Sequence, residues 1–448
     1  MAPVLRQIPG LGEISTEITY FDDSVAQFRG IQYGVVPQRF QQPRLLEVWE
    51  DGRFEASKFG FRLGAFGFMA SDDILRDNQS TGDKGVGNYA LHDQYMAMLW
   101  VKKYIRGFGG DAERITAVGQ SSGASDLHIL MMSPLLRSQQ LLQQAIVISG
   151  NSVIASRELD HQQHIYDKFL EHLGISTNLP SNQRLERLRS IKQEDLVSAY
   201  ICLGSPLPNW QATVDGVVLE ALPTCDGLAN QVYAPSIKRI MVGFCEQEGI
   251  LWGGRIRQKQ WTVPRIIDRM ATHYDPRETY DILQQYEITD DGQDSELVPK
   301  LADFCGGVEF RQPLYELVNN WKQGDAYLYR MRFINHFDGM FSGRAHHGVD
   351  LLFFFQTYNH LLSKEYAAAA EEMGKHFVEF LDGVSPWAPF TETNAVMNYG
   401  PDHVKSQSLE EGQYRQFQPL NGRKDWFHKC TSTSRAVRNE TIYRRGGE

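Results

Sequence analysis

The segment Gly119-Gln120-Ser121-Ser122-Gly123 sets a serine between two glycines at the Gly-x-Ser-x-Gly spacing. In that arrangement a sharp strand-to-helix turn can present the hydroxyl as a nucleophile. The turn is strained, so small residues are expected at both ends, where a Cβ would collide. The N–H groups that open the following helix would face the charge developing on a substrate carbonyl oxygen. The plain alternative is a glycine-rich structural turn. A serine hydroxyl is a weak nucleophile at neutral pH, so a histidine must take its proton and a carboxylate must orient that histidine. Glu246 and Glu248 both follow an apolar run at 240–244, and His336, His346 and His347 all follow another at 326–333. The order serine, acid, histidine, each on a loop at the carboxyl end of a strand, fits doubly wound hydrolases. The residues alone leave both choices open.

The elements that must position these groups are legible from apolar periodicity. Ala97, Met98, Val101, Ile105 and Phe108 recur at helical spacing before the stop Gly109-Gly110, so a helix is expected over 90–108. Ile115-Thr116-Ala117-Val118 reads as a strand that runs into the serine turn, and the apolar stretch to Met132 reads as a helix ending before Pro134. Ala145–Ile148, Ile240–Phe244 and Ala326–Phe333 add three more strands. Strand and helix alternate, which predicts a mostly parallel sheet flanked by helices in one α/β unit spanning 1–448. Charged, helix-forming stretches around 155–200 and 255–325 are expected to cover that sheet or roof a pocket.

Composition narrows the function. Hydrophobic residues make up 42% and charged residues 22%, with 24 Phe, 19 Tyr and 8 Trp, enough for a large aromatic core and unlike a disordered scaffold. Net charge is −10 with no long basic stripe, which argues against nucleic acid and anionic membranes as partners and for a small-molecule substrate. No apolar run reaches membrane-spanning length, and the first residues hold no signal-peptide core. The five cysteines are scattered without a CxxC pair, which points to a reducing, cytoplasmic setting rather than a disulfide framework or a zinc site.

Specific resemblance enters through a longer series of residues. Gly87-Asn88, Asp93-Gln94, Ala97, Trp100-Val101, Phe108-Gly109-Gly110-Asp111, Ile115-Thr116 and the Ser121 turn resemble the type B carboxylesterase and cholinesterase family of α/β-hydrolases. Leu63–Phe68, Asp215-Gly216, Glu248-Gly249, His347–Leu351 and Trp387–Phe390 extend the resemblance along nearly the whole chain. The resemblance implies an α/β-hydrolase fold, serine esterase chemistry on a small-molecule ester or lactone, and no cofactor or metal. It also implies Ser121 as nucleophile, Glu248 as the acid before a glycine, His347 as the base before Gly-x-Asp-Leu, and the Ser122 N–H as an oxyanion donor. Intracellular members suggest a role in specialised metabolism.

One departure is large. After the position matching Lys58-Phe59-Gly60, members of the family carry several strands and a His-Gly-Gly-Gly turn, whereas here Gly60 runs into Phe61-Arg62. Roughly 70 to 90 residues of the family pattern are missing, and with them the glycine oxyanion donors. The nucleophile strand is then expected to have an unpaired flank. If another loop supplies donors, Gly64–Gly67 and Gly82–Gly87 are the candidates. A binding protein that keeps the scaffold without hydrolysis is the alternative function.

Other features have plainer expectations. His161 and His164 are expected on an exposed helix without a third metal ligand. Phe353-Phe354-Phe355 reads as a buried helix on the sheet, and Trp210, Trp252 and Trp261 as either core or pocket lining. Arg435, Arg438, Arg444 and Arg445 read as a solvated basic terminus.

Overall fold

The computed structural model describes residues 4–16, 31–47, 53–55, 62–203, 210–288, 296–400, 403–408 and 424–437. The Gly60/Phe61 junction lies outside them, as do Arg438, Arg444 and Arg445.

Period-2 sequence alternation organises the main sheet. Its strands are β6 (Thr116–Gln120), β7 (Gln144–Ile148), β10 (Arg239–Cys245), β11 (Asp325–Met331), β12 (Ala395–Gly400) and β13 (His403–Ser408), in the spatial order β13-β12-β11-β10-β7-β6. All neighbours are parallel except the β12–β13 pair. On one face Ala145, Val147, Ile240, Val242, Ala326 and Leu328 join a core roofed by the helices Ser122–Met132 and Gln312–Asn319. On the other face Ile146, Ile148, Met241, Tyr327 and Tyr329 pack against the helix Lys364–Leu381. Strands buried on both faces read as apolar runs, which is why the sequence locates β7, β10 and β11, whereas β12 and β13 are not among the expected strands.

Short strands lie apart from this sheet. β1 (Val4–Ile8), β2 (Gly12–Thr16) and β5 (Arg53–Glu55) form one small sheet, β3 (Gly34–Val35) pairs with β4 (Arg44–Leu45), and β8 (Ser156–Arg157) pairs with β9 (Ala212–Thr213). None of them pairs with β6. Among the described residues β6 has one neighbour, β7, so it forms an edge of the main sheet. Val118 on β6 is 46% exposed, whereas Ile146, opposite it on β7, is fully buried. That contrast matches the unpaired flank expected from the missing family segment.

Local structure departs from expectation in a few places. The helix expected over 90–108 is α-helical only over Tyr89–Tyr104 and tightens into a 3₁₀ turn, Ile105–Phe108, closed by Gly109 at φ +85°. His161 is buried in the helix Leu159–His172 rather than exposed. Phe353 is buried in the helix Asp350–Phe354, but Phe355 lies past its end and is exposed. Trp210 belongs to the core, edge-on to Phe169. Arg435 is buried on the helix Lys424–Val437, where its guanidinium donates to the Val153 carbonyl, so it is not a solvated tail residue. Helices also occupy 159–172, 181–190, 193–202, 253–258, 263–270, 276–285 and 297–306. None of the described helices is long and apolar enough to cross a membrane.

Candidate active site

Three strand ends converge on one point. β6 stops at Gln120, and Ser121 takes φ +57°, ψ −123° before the helix Ser122–Met132 begins. A non-glycine residue held there costs on the order of 1–3 kcal/mol and persists only where its surroundings impose it. Those surroundings are backbone. A Cβ on Gly119 would fall 2.4 Å from the Gly123 carbonyl oxygen, and one on Gly150 only 2.0 Å from that of Ser121. A Cβ on Gly123 would meet no described atom within 4 Å. The steric demand expected at both ends of the motif therefore holds at its first glycine only. The second close approach comes from Gly150, past the end of β7.

The acid and base loops are zipped together. Past β10, the Gln247 N–H donates to the Ala345 carbonyl (2.9 Å), the Ala345 N–H returns to the Gln247 side chain (3.1 Å), and Gln247 and His346 form a parallel bridge. This places the buried Glu248 beside His347. His347 Nδ1 lies 2.5 Å from Glu248 Oε2, and His347 Nε2 lies 2.8 Å from Ser121 Oγ. The other Glu248 oxygen accepts from Ser149 Oγ (2.6 Å) and from the Cys245 N–H (2.7 Å). Both carboxylate oxygens are thus held by donors, which fixes the orientation of Glu248 toward the ring. With Glu248 accepting at Nδ1, the ring carries its proton there and leaves Nε2 free to receive one from Ser121.

Electrostatics act on the ring in opposite senses. Burial disfavours the imidazolium, but Glu248 and, more distantly, Asp350 outweigh it and raise the His347 pKa above the ordinary histidine value. Asp350 is fully buried and is itself pushed up to about 6, chiefly by desolvation, although Tyr329 donates to it at 2.8 Å. The Phe310 ring leans on His347 at 5.2 Å between centroids. Phe310 is carried by a π-helical turn, Gly307–Arg311, a feature frequent beside functional sites.

The remaining candidates sit elsewhere. Glu246 is occupied by the Arg330 guanidinium, which outweighs burial and holds its carboxyl below the usual range. His346 turns its Nδ1 to the His347 carbonyl, and His336 is exposed against Tyr366. The Ser122 N–H belongs to the first helical residue and has no acceptor within the helix, so it remains available beside Ser121. The nearest neighbours at Gly67, Gly85 and Gly87 are residues other than those of the serine turn. Gly67 lies against Arg62 and Ala90, and Gly85 and Gly87 lie against Asp215, Ala70 and Thr213. Among the described residues no cluster of three or more His, Cys, Asp or Glu side chains could hold a metal ion.

Sequence reasoning overlooked Ser149, Gly150, Gln120 and Phe310. The first two follow the strand Gln144–Ile148, so the rule that groups gather at strand carboxyl ends could have found them. Nothing in the local sequence flags Phe310.

Residues 57–417 match the model of the carboxylesterase family. The chain belongs to that family. A carboxylic ester hydrolase of Gibberella moniliformis is 30% identical over 233 residues, which are 50% of this chain and 42% of that protein. An uncharacterized esterase/lipase of Schizosaccharomyces pombe is 22% identical over 351 residues, 73% of this chain and 64% of that protein. The chain thus spans less than two thirds of the length of either relative. Among solved structures, a PNB esterase superposes with a TM-score of 0.70 at 18% identity, covering 92% of this chain and 99% of that one. The fold of this carboxylesterase-family chain is accordingly the α/β-hydrolase fold.

Proposed function

We propose that the chain hydrolyses a small-molecule carboxylic ester or lactone through an acyl-enzyme, with Ser121 as nucleophile, His347 as general base and acid, and Glu248 steadying the imidazolium. The observation that carries this reading is the unbroken line of hydrogen bonds from Ser121 Oγ through both ring nitrogens of His347 to Glu248. As Oγ bonds to the ester carbonyl carbon, its proton passes to Nε2 and the carbonyl π pair moves onto oxygen, facing the Ser122 N–H. Collapse of that intermediate expels the alcohol oxygen, which takes the proton from Nε2. Water then repeats the sequence on the acyl-enzyme: Nε2 receives its proton and returns it to Ser121 as the acid leaves. Glu248 orients the ring throughout, and no cofactor is required.

The free cysteines, four of them buried, support a reducing, cytoplasmic setting. A role in specialised metabolism would fit a natural-product ester. Among the described residues β6 has one neighbour, and this open flank beside Ser122 favours a second reading, a binding protein that keeps the scaffold without turnover. Covalent labelling by a fluorophosphonate separates the two, because it requires a working serine–histidine pair. Labelling of the wild type, lost in Ser121→Ala together with p-nitrophenyl ester hydrolysis, is the expected result. An unlabelled, correctly folded wild type would remove the esterase reading.

A further inference from the structure

We propose that the Gln120 carboxamide turns over with the protonation state of His347. It would donate an N–H to the neutral ring and offer its carbonyl oxygen to the imidazolium, so that Nε2 keeps a partner when the Ser121 hydroxyl is consumed. The proposal rests on the assignment of Ser121 and His347 above. Gln120 is the last residue of β6, and its Nε2 lies 3.3 Å from His347 Nε2, the atom that also meets Ser121 Oγ. A neutral ring bonded to Glu248 through Nδ1 exposes a lone pair at Nε2, and an amide N–H can share that lone pair with the serine hydroxyl. Once the ring is protonated, Nε2 becomes a donor, and an amide fixed with its NH₂ toward the ring would set donor against donor. A half-turn about the terminal torsion replaces NH₂ by C=O at the same place, because a carboxamide is nearly symmetric in shape.

A side chain at 348 would crowd that half-turn. Gly348, at φ +81°, borders the amide, and a Cβ there would stand 3.3 Å from Gln120 Nε2. Gln120 is also only half-buried, so the turned amide keeps access to solvent for its other end. The need is sharpest in the acyl-enzyme. There Oγ is esterified and gives Nε2 no proton, and among the described residues Gln120 is the other polar side chain at that nitrogen. Gln120 would thus be a positioning residue that holds the imidazole in plane until water arrives.

Several groups set the charge around the ring. Glu246 and Glu248 lie on the acid loop, Glu246 paired with Arg330 of β11, and Arg311 sits on the π turn that carries Phe310. Asp350, backed by Tyr329 and Cys245, follows on the base loop, where the neighbouring His346 is bonded to the His347 carbonyl. Gln120, like Ser121, meets the ring at Nε2, so its substitutions should act on the protonation equilibrium without disturbing the Nδ1 end.

The test is a ¹⁵N NMR titration of the His347 ring in the full chain labelled at histidine, assigned by loss of the signal in His347→Asn, together with burst kinetics on p-nitrophenyl acetate. Gln120→Glu fixes a charged acceptor beside Nε2 and should raise the titration midpoint by at least about 1 pH unit. Gln120→Met removes both faces of the contact. Its midpoint should stay within about half a pH unit of wild type, while deacylation slows about tenfold for the lost hydrogen bond. An unmoved midpoint in Gln120→Glu, a rise of a full pH unit in Gln120→Met, or unchanged deacylation in Gln120→Met would each overturn the proposal. A wild type that forms no acyl-enzyme while both midpoints behave as expected would remove the esterase reading and leave the turning amide standing.

Discussion

The two sides of Ser121 are built to different standards. On the acid–base side, four hydrogen bonds hold Glu248 and His347, two loops are zipped together, and the strands beneath are buried on both faces. On the proposed oxyanion side, the N–H of Ser122 opens a helix above a strand with a single neighbour among the described residues. The difference separates two tasks that hydrolysis normally combines. Making a serine nucleophilic needs a short chain of side chains that the sheet's carboxyl edge can supply. Stabilising the charge that follows needs fixed dipoles on the other side of the serine.

The comparison can be broken at its strong side first. His347→Ala should reduce ester hydrolysis by about 10⁴-fold or more, as Ser121→Ala should, because the two act as a unit. His346→Ala should leave most activity, and if it proved the inactive variant the assignment of the base would fail. On the weak side, inserting a family-type segment with a glycine turn between Gly60 and Phe61 should raise turnover about 10²- to 10³-fold, the usual effect of one oxyanion donor. No gain in a folded, labelled protein would show that charge stabilisation is already complete.

Two glycines sharpen the contrast further. Gly150→Ala drives a methyl group into the Ser121 carbonyl and should destabilise the fold by about 1–3 kcal/mol while displacing the nucleophile. Gly123→Ala points into open space and should change stability by less than about 0.5 kcal/mol. Thermal melts of both variants check this, and equal losses would contradict the geometry. Ser149→Ala leaves one Glu248 oxygen a bond short and should cost roughly tenfold in kcat/KM. Activity equal to wild type would show that water replaces the hydroxyl.

The smallest effect concerns pH. The His347 pKa is raised in the folded chain, and only the neutral ring can act as base, so kcat/KM should fall on acidification with a midpoint above the ordinary value of 6.5. The linked stability has the opposite trend. The raised pKa contributes to folding below the unfolded-state value and is lost as pH climbs through the folded one. A kinetic midpoint below 6.5 would mean that burial of the ring outweighs Glu248.

Much of this asymmetry was legible in the sequence. The serine turn declares itself through Gly119 and the flanking apolar runs. The strands at 144–148 and 239–245 declare themselves because burial on both faces leaves no polar interruption. The choice of Glu248 over Glu246 was not legible from spacing, because it depends on Arg330, 84 residues away, claiming the other carboxylate. Gly150 and Phe310 escaped for a related reason: their roles exist only after β7 and the π turn are brought against the nucleophile by packing. Local periodicity fixes which residues face a core. It does not say which loop will touch which across the carboxyl edge of a sheet.

The bridge between Gln247 and His346 ties the acid loop and the base loop into a single opening unit. Amide hydrogens at Gln247 and Ala345 are both held by partners across that junction. Hydrogen exchange at these amides should therefore follow one common opening reaction rather than separate loop fluctuations. Heat inactivation would then begin when that unit opens, with acid and base leaving the serine together.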